Sequence, residues 1–229
     1  VKKEFNLENS NYWIEIRNVD VQLNNKFLVK NINLKLKSKE HTVILGPNGA
    51  GKSTLIKLIN RSLYPIYKED SYLSLFGHTN VNIWDLRQRV GILSREIEER
   101  TPGEICCLDV IISGAYGKFK RLTKDELRLK YTLRAQKLLR EFRLEKLSDQ
   151  VFKELSDGQK RLITILRALV HNPEVLILDE PTSSLDIASR KYIMDSLNKI
   201  GSENTTIIIV THDINSIIPG TKKVLLMKA

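Results

Sequence analysis

Residues 46–54 read Gly46-Pro47-Asn48-Gly49-Ala50-Gly51-Lys52-Ser53-Thr54, with glycines, lysine and hydroxyls spaced as in a phosphate-binding loop. A triphosphate demands several convergent N–H donors, a mobile cation and a hydroxyl that completes the coordination of Mg2+. The loop supplies all three. Gly46, Gly49 and Gly51 let the backbone take positive φ, so the turn through Pro47, Asn48 and Ala50 can close on phosphate as an anion-binding nest. Lys52 reaches the β- and γ-phosphates, Ser53 is placed to ligate Mg2+, and Thr54 opens a helix whose N-terminal end is positive. The flanks agree. Thr42-Val43-Ile44-Leu45 suits a strand buried on both faces, and Lys52 to Ile59 has helical periodicity. From average Gly and Lys usage the bare pattern arises by chance on the order of once in a hundred chains of this length. The expectation is a chain that binds a nucleoside triphosphate.

With 229 residues, 41% of them hydrophobic, the chain can bury a sizeable core as one domain or as a core with a smaller lobe. No apolar run is long enough to span a bilayer, and no signal-like segment opens the sequence, so the chain by itself is expected to be soluble. The two cysteines, Cys106 and Cys107, are adjacent and lack the spaced companions of a zinc site, which fits a reducing compartment. Val1 and the strand-like ending Val224-Leu225-Leu226-Met227-Lys228-Ala229 suggest a domain cut from a longer polypeptide.

The net charge of +10 admits nucleic acid, an anionic membrane surface or a merely solvated basic face. Much of it is local: Lys118, Lys120, Arg121, Lys124, Arg128, Lys130, Arg134, Lys137, Arg140 and Arg143 crowd one segment. There Leu127, Tyr131, Ala135, Leu138 and Phe142 trace the apolar stripe of a helix. No stacking aromatics are interleaved among the charges, so a solvated helix face accounts for them; a nucleic-acid partner is unsupported but stays open.

Residues 13 to 37 alternate, with Ile14, Ile16, Val19, Val21, Ile32, Leu34 and Leu36 on one face, as in a half-buried antiparallel sheet. A strand around Tyr72 to Phe76 and an amphipathic stretch from Trp84 to Arg89 follow the loop and its helix. A helix-rich block runs from about 104 to 171, and parallel-strand candidates return at Val175–Leu178, Thr206–Val210 and Val224–Met227. The expected class is α/β: a single domain with a parallel-sheet P-loop NTPase core over 12–95 and 172–229, an N-terminal antiparallel β-subdomain, and an inserted helical subdomain over 96–171. Asp179 and Glu180 close the strand Val175–Leu178, at the carboxyl edge where α/β proteins bind ligands. Asp179 is expected to hold Mg2+ opposite Ser53, and Glu180 to polarise the water that attacks the γ-phosphate.

Leu155-Ser156-Asp157-Gly158-Gln159, then Leu178-Asp179-Glu180-Pro181-Thr182-Ser183-Ser184-Leu185-Asp186, then Thr211-His212-Asp213 follow the loop in an order that resembles the ATP-binding cassette ATPases. The resemblance covers nearly the whole chain. It implies ATP with Mg2+ as ligands and a second cassette as partner, from a homodimer or a tandem domain, with two ATP molecules sandwiched head to tail. Ser156 and Gly158, with Gln159, would then contact the γ-phosphate across the interface from a helix N-terminus. Ser184 to Asp186 would communicate between the two sites, and His212 would contact the γ-phosphate and orient the catalytic centre with Glu180 and Lys52.

Three positions depart from the family pattern. Asp157 stands where Gly is usual, with little loss expected, and Leu23 stands where an aromatic residue stacks on adenine, which leaves a looser grip or a substitute in Phe27. Arg95 falls where a glutamine contacts Mg2+; arginine has no acceptor and cannot ligate a cation. Either Arg95 alters coupling, so that Arg95→Gln changes the ATPase rate, or the register slips by one and Glu96 serves.

Two functional readings stay open. One is the energising subunit of a membrane transporter, cytoplasmic and peripheral on the inner membrane face or in an organelle matrix, its helical lobe docking on a transmembrane subunit; Leu108 to Gly114 resembles cassettes of metal and siderophore importers. The other is a soluble non-transport cassette protein acting on a macromolecular assembly, toward which Arg95 and the basic helix point. A scaffold without turnover conflicts with Glu180 and His212 both being present.

Overall fold

In the computed structural model the described residues are 11–117, 125–201 and 205–228. Lys118, Lys120, Arg121 and Lys124 of the basic cluster, with Val1 and Ala229, lie outside them.

Asn24 and Asn25 take φ of 50° and 60°, the left-handed pair that a two-residue hairpin turn requires and that asparagine tolerates. They join β1 (Tyr12–Leu23) to β2 (Lys26–Lys37), antiparallel from Leu23↔Lys26 to Tyr12↔Lys37. On its other side β1 pairs with β4 (Tyr72–Leu75), giving a three-stranded sheet of order β2-β1-β4.

The second sheet is five-stranded and wholly parallel, in the order β5-β6-β7-β3-β8. Its strands are β3 (Thr42–Leu45), β5 (Val90–Leu93), β6 (Val175–Asp179), β7 (Thr206–Thr211) and β8 (Lys223–Leu226). Side chains alternate between two cores, as a sheet covered on both faces demands. Leu176, Leu178, Ile207 and Ile209 face the helical side. Val175, Ile177, Ile208 and Val210 face the β1–β2–β4 sheet and α1 (Lys52–Ile59).

Between α2 (Ile83–Arg89) and β6 the chain adds β5, α3 (Arg95–Glu99), α4 (Cys107–Ser113), α5 (Asp125–Glu141) and α6 (Asp157–Leu169); α7 (Ile187–Gly201) follows β6. The stripe expected on α5 holds over its C-terminal half and just past its end, where Ala135, Leu138 and then Phe142 are buried, but Leu127 is exposed. The two cysteines are free and Cys107 is buried. Among the described residues no helix is long and apolar enough to cross a membrane.

Candidate functional site

Strand order assembles the site. β7 lies between β3 and β6 with Leu45 beside Thr211 and Asp179 beside Val210, so the carboxyl ends of the three strands converge. The loop after β3, the acidic pair at the end of β6 and Thr211-His212 at the end of β7 meet there, around a cleft of about 960 Å3.

The loop coils because Gly49 and Gly51 take φ of 87° and 89°. A Cβ at Gly51 would also run into Val29 of the hairpin, so only glycine lets α1 begin here. Lys52 is buried, and its Nζ donates to the carbonyls of Gly46 (2.6 Å) and Pro47 (3.0 Å). Asn48, Gly49, Gly51, Lys52, Ser53 and Thr54 line the cleft; Gly46 and Pro47 hold the lysine and Ala50 is buried behind the loop.

Glu180 has φ 50°, a costly conformation for a side chain of its size. It is over-determined: its N–H donates to Val210 O at 2.8 Å, Thr211 Oγ1 donates to Oε2 at 3.0 Å, and His212 Nδ1 lies 2.7 Å from Oε1. A carboxylate accepts, so Nδ1 carries the hydrogen and Nε2 is left for other partners. The same Oε1 stands 4.0 Å from Lys52 Nζ. Burial pushes the neighbouring Asp179 carboxyl up to about 6, Glu180's charge adds to this, and Lys52 and Arg161 partly offset it. A desolvated carboxylate beside a second one gains most from a cation.

Ser156 and Gln159 form a capping box at the start of α6: the Gln159 N–H donates to Ser156 Oγ at 3.3 Å and Gln159 Oε1 accepts from Ser156 N at 3.0 Å. Neither they nor Gly158 line the cleft of their own chain, whereas Asp157 does. Leu23 and Phe27 are exposed at the hairpin tip, Lys30 Nζ lies 4.2 Å above the Phe27 ring, and of this hairpin it is Leu28 that reaches the cleft wall.

Arg95 sits at the cleft rim, paired with Glu99 at 3.0 Å. The one-residue slip to Glu96 is not what the geometry offers: Glu96 pairs with Arg100 at 2.7 Å and faces a separate cleft of about 290 Å3. The α3 carboxylate that turns inward is Glu98, 2.8 Å from Arg161 Nη1; burial raises the Glu98 carboxyl and Arg161 pulls it back. Sequence reasoning assigned no role to Glu98, Arg161 or Thr211. Thr211 was within reach, as a hydroxyl at the end of a strand whose neighbour carries the acidic pair.

The sequence pattern of the ABC transporter family matches residues 29–183. The ABC transporter ATP-binding protein YlmA of Bacillus subtilis is 31% identical over 221 residues, 94% of this chain and 81% of the relative. Among solved structures, cbiO1 from Clostridium perfringens, part of the ABC transporter complex cbiONQ, is 31% identical with a TM-score of 0.75, covering 91% of this chain and 81% of that one. A bacterial ABC transporter cassette solved as a dimer is 26% identical with a TM-score of 0.76, covering 94% of both chains. With a phosphate loop on β3, an acidic pair on β6 and a histidine on β7 in one cleft, the chain belongs to the ABC transporter family, as its ATP-binding, ATP-hydrolysing cassette.

Proposed function

We propose that the chain hydrolyses MgATP at a head-to-tail interface between two cassettes, and that this cycle powers a membrane transporter whose transmembrane subunit meets the helical lobe of residues 96–171. The single observation that carries the reading is the posture of Glu180: strained, held on both oxygens by Thr211 and His212, and 4.0 Å from Lys52. That is the posture of a base aimed at a γ-phosphate, with Lys52 gripping the phosphates and His212 offering its free ring nitrogen to them.

Ser53 and Asp179 would hold Mg2+. The donor set fits: one hydroxyl and a desolvated carboxylate suit a cation that shares its shell with substrate phosphates and water. A cation held by Ser53 and Asp179 would neutralise charge on the transferred phosphate. Glu180 takes a proton from the attacking water, and the loop N–H groups fix the phosphates in line.

The second cassette is inferred from where the signature stands: Ser156 and Gly158 lie outside the cleft of their own chain, which leaves them to serve the nucleotide of a partner. In the dimeric relative two cassettes are paired, and cbiO1 belongs to a transporter complex; on this reading the present chain likewise pairs with a second cassette and sits at the cytoplasmic membrane face beside a transmembrane subunit.

Glu180→Gln tests the reading. It should keep MgATP affinity within about twofold and lower kcat by roughly 10²- to 10⁴-fold, the range of a lost general base. Turnover at the normal rate would remove Glu180 from that role.

A further inference from the structure

Of the α3 side chains at the cleft, Arg95 and Glu99 are exposed and pair with each other. The α3 side chain that does reach the cleft wall with a buried partner is Glu98. Its carboxylate lies 2.8 Å from Arg161 Nη1, and the two side chains are only 19% and 11% exposed. Arg161 sits in the first turns of α6, just after the Ser156–Gln159 capping box, and lines the same cleft as Lys52, Asp179 and Glu180. Its Nε is buried with no hydrogen-bond partner, so among the described residues the guanidinium is held by the Nη1–Glu98 ion pair.

We propose that Glu98 is a positioning residue for ATP hydrolysis: through Arg161 it fixes the first turns of α6 against α3, and so makes catalysis answer to the α3 segment. This rests on the ATPase reading of the site. The pair ties together two elements that α4 and α5 separate along the chain, and a buried guanidinium that loses its ion-pair partner is left with a poorly compensated charge. The displacement that follows moves α6 relative to the phosphate loop. The loop itself is untouched, because Lys52 is held by Gly46 and Pro47.

The experiment is steady-state ATPase kinetics and fluorescent-ATP binding on the full chain as wild type, Glu98→Gln, Arg161→Gln and the double variant, with melting temperatures. Each single variant should lose about tenfold in kcat with nucleotide affinity and KM within about twofold, and the double should lose no more than the worse single, because the pair acts as a unit. Glu98→Asp should recover part of the rate. Should Glu98→Gln not fold, Arg161→Lys keeps the charge, loses the planar fork and should show the same split. Unchanged kcat, losses that add, or a kcat that falls only in step with affinity and melting temperature would overturn the proposal. A wild type whose turnover does not depend on Glu180 would overturn the ATPase reading as well; normal Glu180-dependent turnover in Glu98→Gln overturns the positioning role alone.

Discussion

Gly51 carries two demands at once, a φ of 89° and room for Val29 of the hairpin. Gly51→Ala is therefore expected to displace Lys52 and weaken MgATP binding at least tenfold, about 1.4 kcal/mol, where an alanine at an unstrained position costs little. Isothermal titration of the folded variant checks this; wild-type affinity would mean the loop tolerates the side chain. Gly51, Lys52, Asp179, Glu180 and His212, which share one cleft, could each be picked out in the sequence by a spacing or a strand end. Thr211 was not assigned its role, since its hydroxyl meets Glu180 only through the register that sets Asp179 against Val210. Glu98 was missed for a related reason: the phase of α3, capped by Ser94, turns Glu96 toward Arg100 and Glu98 toward Arg161.

At the scale of elements, the long alternating hairpin and the apolar strands β3, β6, β7 and β8 were readable from their period and length. β5 was not. It is four residues long with Gly91 in it, and a Cβ there would run into the Ala168 carbonyl of α6. The glycine that reads as a strand breaker is what lets the helix lie against the strand. α3 was missed because its five residues are too short for a hydrophobic stripe; its Arg95–Glu99 and Glu96–Arg100 pairs were the available signal. Where α6 ends, burial drives His171 from 6.5 to about 4, and the Arg167 charge works in the same direction. The folded protein thus refuses a proton that the unfolded chain accepts once pH falls below about 6.5. Stability from this group is intact above that pH and is lost progressively as pH falls toward 4. Urea melts of wild type and His171→Gln at pH 7.5 and about 5 should show a smaller acid loss in the variant. Equal losses would place the acid sensitivity elsewhere.

For the whole molecule, one parallel sheet separates two cores, the antiparallel sheet with α1 on one side and the helical block on the other. This arrangement puts the catalytic cluster at a strand edge open to solvent, while the Ser156 capping box stands apart from it. The cleft therefore holds the phosphate loop and the acidic pair, and of the signature residues Asp157 lines it whereas Ser156, Gly158 and Gln159 do not. Four of the ten residues of the basic cluster lie outside the described residues, and the six described ones add no site to this picture. The most direct test is sedimentation velocity of Glu180→Gln with and without MgATP. Two cassettes sharing two nucleotides predict a monomer that becomes a dimer when MgATP is added, and reverts when Lys52→Ala is combined with it. A chain that stays monomeric with MgATP bound in its cleft would contradict the head-to-tail site.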